Sequence, residues 1–117
     1  MFIAAFGLIT ATYDKTIGEI LEDTELSKMT KSIMKEIEEI AKRLNISLSS
    51  DIVDTSFFKA TQFPYETKTS LQRDVETKGK INEGDLFGGT LIRFGEKLNV
   101  PTINIKNVYE RFLSKSK

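Results

Sequence analysis

The chain has 117 residues, a length that suits one domain with a modest hydrophobic core. Its 17 basic and 17 acidic residues leave a net charge of zero, which argues against binding to nucleic acid or to an anionic membrane surface. The sequence contains neither cysteine nor histidine, which excludes disulfides and thiolate chemistry and leaves only carboxylates for a metal site. We therefore expect a cytoplasmic protein with no bound metal.

Residues 1–9 are almost entirely apolar. No lysine or arginine precedes them, as a secretory signal would require, and the run is far shorter than the roughly 20 residues of a membrane-spanning helix. The pattern favours a buried helix, which we predict over residues 1–11, in a protein that does not enter the membrane.

The next two predicted helices lie between residues 15 and 44. A short helix covers residues 15–21, and Asp23 is a favourable N-cap for a longer one that Asn45 ends. Apolar residues recur in the longer helix every three or four positions, a spacing typical of an amphipathic helix. These residues are Leu26, Met29, Ile33, Ile37, Ile40, Ala41 and Leu44.

Helix signals continue through the middle of the chain. Ser49 or Ser50 can cap a helix that runs to about residue 63, where Pro64 stops it because the residue before a proline is disfavoured in the α region. Thr69 and Gln72 have the spacing of a capping box, so a short helix is predicted to begin at residue 70.

The last two predicted helices cover residues 84–98 and 104–113, separated by a break at residues 99–101. Since no stretch alternates apolar and polar residues, we predict an all-α fold of about six helices and no sheet. The predicted core includes Leu26, Ile33, Ile37, Ile40, Leu91, Phe94, Val108 and Phe112.

The chain contains no recognisable dinucleotide-binding turn. Gly84, Gly88 and Gly89 do not have the G-x-G-x-x-G spacing, and no predicted strand precedes them. They are explained either by close approach of two helices or by close approach of the backbone to a ligand.

Polar residues at two predicted helix starts are candidate ligand contacts. Glu83 and Asp85 lie at the start of one helix, where a carboxylate is stabilised by free backbone amides, so capping explains either residue equally well. Ser70 lies at the start of another, where unpaired amides favour an anion. It can fill that helix terminus or bind a carboxylate.

Two segments of the last third, Thr69-Ser70-Leu71-Gln72-Arg73-Asp74-Val75 and Asn82-Glu83-Gly84-Asp85-Leu86-Phe87-Gly88-Gly89, resemble the substrate-binding region of the ketopantoate reductase (2-dehydropantoate 2-reductase) family. The segments at residues 16–23, 91–95 and 100–102 also fit the family pattern. The resemblance implies that residues 1–117 form the helical C-terminal substrate-binding and dimerisation domain, as in 6-phosphogluconate dehydrogenase-like enzymes. It also implies that the N-terminal Rossmann domain of the family is absent from this chain.

The resemblance implies roles for three residues. Ser70 matches a serine whose hydroxyl binds the substrate carboxylate, and Asp74 matches an aspartate on the same helical face. Glu83 matches an active-site glutamate that hydrogen-bonds the substrate hydroxyl, so it is the predicted catalytic residue. No cofactor-binding residue is predicted in this chain.

The sequence departs from the family near its first residue. The family's proton-donating lysine would fall about two positions before Met1, and asparagines common in the family are replaced by Ile3 and Gly7. We therefore expect the isolated chain to bind no NADP and to catalyse no turnover. The parent enzyme is expected to reduce a 2-keto acid such as 2-dehydropantoate with NADPH, in pantothenate biosynthesis.

Other interpretations remain open. The chain can instead be a stand-alone helical association module or a remnant, in either case without catalysis. An association module is suggested because an apolar first helix without a neighbouring domain would expose an apolar surface that favours a partner. On this basis a homodimer through residues 1–9 is predicted. A helix-turn-helix nucleic-acid binder is disfavoured because the charge is balanced.

Overall fold

The computed structural model describes residues 2–48, 51–69, 73 and 88–115, and the side chains among them from residue 4 to residue 114. These residues form six helices and no strand, which confirms the predicted all-α class. In chain order the helices are α1 (Phe2–Tyr13), α2 (Ile17–Glu22), α3 (Thr24–Arg43), α4 (Ile52–Thr61), α5 (Thr90–Leu98) and α6 (Ile103–Lys115). Among the described helices, none is both long enough and apolar enough to cross a membrane.

Helix α1 lies in the centre of the fold, where α3 and α6 pack against it. Phe6 and Ile9 are fully buried in the core, and the Phe6 ring meets the ring of Phe57 on α4 edge-on at a centroid distance of 5.3 Å. The predicted buried helix is confirmed. The prediction of an association surface on residues 1–9 is wrong for the part whose side chains are described, because the chain's own helices cover it.

Two helices end, as predicted from the sequence, at asparagines whose backbone is in the left-handed conformation. Asn45 has a φ of 60° just after α3, and Asn99 has a φ of 58° just after α5. Asparagine tolerates this conformation better than most residues, which is why it stops a helix. Asp14, with a φ of 56°, ends α1 in the same way, so this helix continues past the predicted residue 11.

The helix starts combine confirmed and unpredicted caps. The Asp23 carboxylate accepts a hydrogen bond from the Leu26 amide at 3.0 Å, as predicted. Helix α2 begins with a capping box that the sequence analysis missed: Thr16 and Glu19 exchange side-chain and backbone hydrogen bonds at 2.9 and 3.2 Å. The T-x-x-E spacing was the available signal.

Most of the predicted core is buried. Ile37 and Leu91 are only partly buried, and the prediction for Phe94 is wrong because 38% of its side chain is exposed. Phe94 precedes the buried Gly95 by one residue, about 100° around α5, so it points away from the packed face. The confirmed core positions are Leu26, Ile33, Ile40, Val108 and Phe112.

Three predicted boundaries lie partly or wholly outside the described residues. Ser49 and Ser50 fall there, and so do the helix start predicted at Ser70 and the start predicted at residue 84. The prediction of a serine N-cap is wrong, because helix α4 begins at Ile52 with Asp51 at the N-cap position and without a side-chain capping hydrogen bond. Helix α4 ends at Thr61, slightly before the predicted end at residue 63.

Candidate functional site

The predicted site residues Ser70, Asp74 and Glu83 lie outside the described residues. The described residues Thr69, Arg73 and Gly88 show where the two segments that contain the predicted site residues meet the rest of the fold. The described geometry therefore concerns the anchoring of these segments.

The segment of residues 65–69 lies across the N-terminus of α2. The amide of Ile17 donates to the carbonyl of Thr67 at 2.9 Å, and the amide of Gly18 donates to the carbonyl of Tyr65 at 3.1 Å. The first amides of a helix have no partner within it, so the segment satisfies two donors that would otherwise be unpaired. Helix α2 thereby fixes the chain that leads to the predicted site residue Ser70.

The glycine at position 18 permits this approach. A Cβ on Gly18 would lie 2.4 Å from the Tyr65 ring and 2.6 Å from the Tyr65 carbonyl oxygen, both far inside contact distance. The Tyr65 hydroxyl also donates to Glu22 at 2.9 Å, and this hydrogen bond is the main reason why the pKa of Tyr65 is raised. The adjacent residues Gly18 and Glu19 of α2 therefore have two different physical roles. Gly18 allows the segment of residues 65–69 to approach the helix closely, and Glu19 caps the helix.

Thr10 connects the same segment to α1. The hydroxyl oxygens of Thr10 and Thr69 are 2.6 Å apart, and Thr10 Oγ1 also donates to the carbonyl of Gly7 at 3.1 Å. The carbonyl of Thr69 then accepts from the amide of Arg73 at 3.0 Å. Ser70 lies between these two residues in the sequence. The contact reaches the face of α1 that carries Gly7, one of the two positions where the family commonly has asparagine.

Gly88 begins the described chain after Glu83 and lies against α6. A Cβ on Gly88 would be 2.4 Å from Cδ1 of Tyr109, so close helix approach explains this glycine. Tyr109 stacks on Phe112, with ring centroids 6.3 Å apart. Since α1 packs on α6, the described ends of both site segments contact one central pair of helices.

A surface pocket of about 640 Å³ lies at the C-terminal end of α1, and neither Thr69 nor Gly88 lines it. Tyr13, Met29 and Arg111 line it. The Tyr13 hydroxyl lies 3.3 Å from the Met29 sulfur, and the Arg111 guanidinium lies 5.7 Å from the centre of the Tyr13 ring. Helix α1 has 12 residues and is about 18 Å long, so this pocket is far from Ile3 at the other end.

No group of three or more acidic residues in the described ranges has the geometry of a metal site. Among the described glycines, Gly88 and Gly89 lead directly into α5, and no G-x-G-x-x-G spacing occurs in the sequence.

Comparison with known proteins gives several relatives. YkpB, an uncharacterized oxidoreductase of Bacillus subtilis strain 168, is 30% identical over 110 residues, which are 93% of this chain but only 36% of YkpB. A dimeric ketopantoate reductase from Staphylococcus aureus has a TM-score of 0.86 at 19% identity, over 98% of this chain and 40% of that structure.

Two further solved structures share the fold. A PanE/ApbA family ketopantoate reductase from Ralstonia eutropha JMP134 has a TM-score of 0.85 at 17% identity, over 98% of this chain and 38% of that one. A D-mandelate dehydrogenase in complex with NADH and anilino(oxo)acetate has a TM-score of 0.86 at 18% identity, over 98% of this chain and 64% of that one. The family model described as the ketopantoate reductase PanE/ApbA C terminal matches residues 1–115, and the chain therefore belongs to this family of oxidoreductase C-terminal domains.

Proposed function

We propose that this chain is the substrate-binding helical domain of an NADPH-dependent reductase that converts a 2-oxo acid into the 2-hydroxy acid. The observation that carries the proposal is the family match over residues 1–115. The anchoring of residues 65–69 on α1 and α2 supports it, because the chain that leads into a substrate-binding segment must be held in a fixed position.

The substrate class follows from what the similar proteins are named for. Ketopantoate and anilino(oxo)acetate both carry a carboxylate attached directly to a carbonyl carbon, which is a ketone in the first and an amide in the second. We therefore propose a 2-oxo carboxylate, with 2-dehydropantoate as the first candidate. If 2-dehydropantoate is the substrate, the enzyme acts in pantothenate biosynthesis in the cytoplasm.

In this proposal, the domain positions the substrate and the cofactor supplies the hydride. The hydroxyl of Ser70 binds the substrate carboxylate, with Asp74 nearby. Glu83 accepts a hydrogen bond from the hydroxyl that forms when the carbonyl is reduced. These roles come from the family resemblance, and Thr10 and α2 contribute the anchoring of the Ser70 segment.

The chain by itself is proposed to be inactive. Its sequence has no G-x-G-x-x-G spacing, and the family resemblance assigns the proton-donating lysine to a position outside residues 1–117. In the family, a nucleotide-binding domain precedes the helical domain. The relatives are long enough to contain such a domain, because this chain spans 36% of YkpB and about 40% of the two ketopantoate reductases.

A fusion protein tests the proposal. In the YkpB fusion, the part of YkpB outside the matched region is joined in front of residue 1 of this chain. We expect protein-dependent oxidation of NADPH with 2-dehydropantoate or another 2-oxo acid, and none from the isolated chain. A fusion that binds NADPH but reduces no member of a panel of 2-oxo acids would contradict the proposed function, as would turnover by the isolated chain.

We also propose that the protein forms a homodimer, through a surface other than α1. The Staphylococcus aureus relative is dimeric, and several apolar side chains are exposed between residues 44 and 65. Phe58 on α4 is the most exposed of these, at 67%. Sedimentation equilibrium should give a dimer that Phe58→Ser weakens. A monomer at high concentration would contradict this proposal. The same result would also contradict the alternative of a stand-alone association module.

A further inference from the structure

Thr10 is a fully buried polar residue in the middle of the apolar helix α1, and its hydroxyl contacts another segment. Its Oγ1 lies 2.6 Å from Oγ1 of Thr69 and 3.1 Å from the carbonyl oxygen of Gly7. A buried hydroxyl is costly unless it is hydrogen-bonded, and this one is bonded on both sides.

The Thr10 hydroxyl joins two partners with a single proton. A threonine hydroxyl has one proton to donate and can also accept. Either hydroxyl of the Thr10–Thr69 pair can donate to the other. When the Thr10 proton is given to the Gly7 carbonyl, which can only accept, the Thr69 hydroxyl donates to Thr10.

This hydrogen bond is the last described tether before Ser70. Helix α2 holds the segment through the carbonyls of Tyr65 and Thr67, and Thr10 holds it through Thr69. The Thr69 carbonyl then accepts the amide of Arg73 at 3.0 Å. Loss of the Thr10 hydroxyl would remove the described hydrogen bond between Thr69 and α1 and would leave the contacts of Tyr65 and Thr67 with α2 in place.

We infer that Thr10 is a positioning residue for substrate binding: it fixes Thr69, the residue before Ser70 in the sequence, on α1 beside Gly7, and the Thr69 carbonyl holds the Arg73 amide. The inference rests on the proposed function for its link to the substrate. The geometric part, that Thr10 fixes Thr69 and so the acceptor of the Arg73 amide, stands on the described contacts alone. Thr10 itself touches no substrate in this account.

Thr30 provides a matched control within the same core. It is also fully buried, and its hydroxyl donates at 2.7 Å to the carbonyl of Leu26 in its own helix, α3. Thr10→Val and Thr30→Val each remove one buried hydroxyl with little change in shape. Only Thr10→Val removes a contact to the site segment, so a merely structural role would make the two variants alike.

The first experiment measures hydrogen exchange of the Arg73 amide in the isolated chain. We expect exchange to be about threefold to tenfold faster in Thr10→Val, the change that loss of one hydrogen bond produces, and unchanged in Thr30→Val. Thr10→Ser keeps the hydroxyl and should restore the slow exchange. Thr69→Val should match Thr10→Val, and the double variant should add nothing further. Equal exchange rates in Thr10→Val and Thr30→Val would overturn the inference.

The second experiment measures kinetics in the YkpB fusion. Thr10→Val should raise KM for the 2-oxo acid about threefold to tenfold with little change in kcat, and Thr10→Ser should restore KM. An unchanged KM in an active fusion would overturn the link to substrate binding. A fusion that reduces no 2-oxo acid would contradict the proposed function instead. The exchange rate of the Arg73 amide in the isolated chain would still decide whether Thr10 fixes Thr69.

Discussion

The carboxylate of Glu36 on α3 accepts two hydrogen bonds from Asn104 at the start of α6, one from the backbone amide at 2.9 Å and one from the side-chain amide at 3.0 Å. Its other oxygen accepts the backbone amide of Ile105 at 2.9 Å. A carboxylate from one helix therefore caps the N-terminus of another. This cap holds α6 in place, and α6 in turn packs on α1 and on Gly88.

Glu36→Ala should lower the free energy of unfolding by about 1–3 kcal/mol, because it leaves the first amides of α6 without their charged acceptor. Glu39→Ala on the same helix is the control. Its side chain is 53% exposed and pairs with Lys42 at 4.0 Å, so the expected loss is below about 1 kcal/mol. Urea denaturation measures the free energy of unfolding of both variants. Equal losses would show that the hydrogen bonds of Glu36 stabilise the fold no more than the exposed ion pair of Glu39 does.

Gly18→Ala should destabilise the chain by about 1–3 kcal/mol, because the new Cβ would collide with the ring and the carbonyl oxygen of Tyr65. Tyr65→Ala removes the ring but leaves the backbone carbonyl at 2.6 Å, so the double variant should remain less stable than Tyr65→Ala alone. Thermal unfolding of the three variants checks this. A Gly18→Ala protein more stable than the original would contradict the close approach, since alanine is ordinarily the better helix residue.

The hydrogen bond from Tyr65 to Glu22 predicts a dependence on alkaline pH. It raises the pKa of Tyr65 above its ordinary value of 10.0, so the folded chain keeps the phenol proton more firmly than the unfolded chain does. This contribution to stability is fully present below about pH 10 and is lost as the pH rises through the raised pKa of the folded state.

Tyr65→Phe should therefore be less stable than the original chain at neutral pH, and the difference should shrink as the pH rises above about 10. Unfolding midpoints in urea, measured for both proteins across this pH range, provide the comparison. A difference that stays constant through the alkaline range would show that the hydrogen bond does not couple ionisation to folding.

The sequence predicted the features that depend on residues close together in the chain. The helix ends at Asn45 and Asn99 follow from local backbone preference, and the cap at Asp23 follows from its position before an amphipathic stretch. The buried positions of α3 follow from the apolar spacing, and the burial of α1 from its composition. The capping box of Thr16 and Glu19 was equally local and could have been found.

Features that join distant parts of the chain could not be predicted in this way. Glu36 and Asn104 are far apart in the sequence, and a single partly buried glutamate carries no signal of its partner. The same applies to Thr10 and Thr69. The exposure of Phe94 depends on which side of α5 the other helices cover. The roles of Ser70, Asp74 and Glu83 came from the family resemblance, and they stay predictions because these residues lie outside the described ranges.

The value of kcat/KM for a 2-oxo acid, measured in the YkpB fusion with Glu83→Ala and Ser70→Ala, tests the central claim most directly. We predict that Glu83→Ala lowers kcat/KM by at least about 100-fold without a matching loss of stability, because the glutamate acts on the reacting group. Ser70→Ala should mainly raise KM, by a factor that corresponds to about 0.5–3 kcal/mol for one hydrogen bond to a charged group. An active fusion in which Glu83→Ala keeps the original kcat/KM would contradict the account.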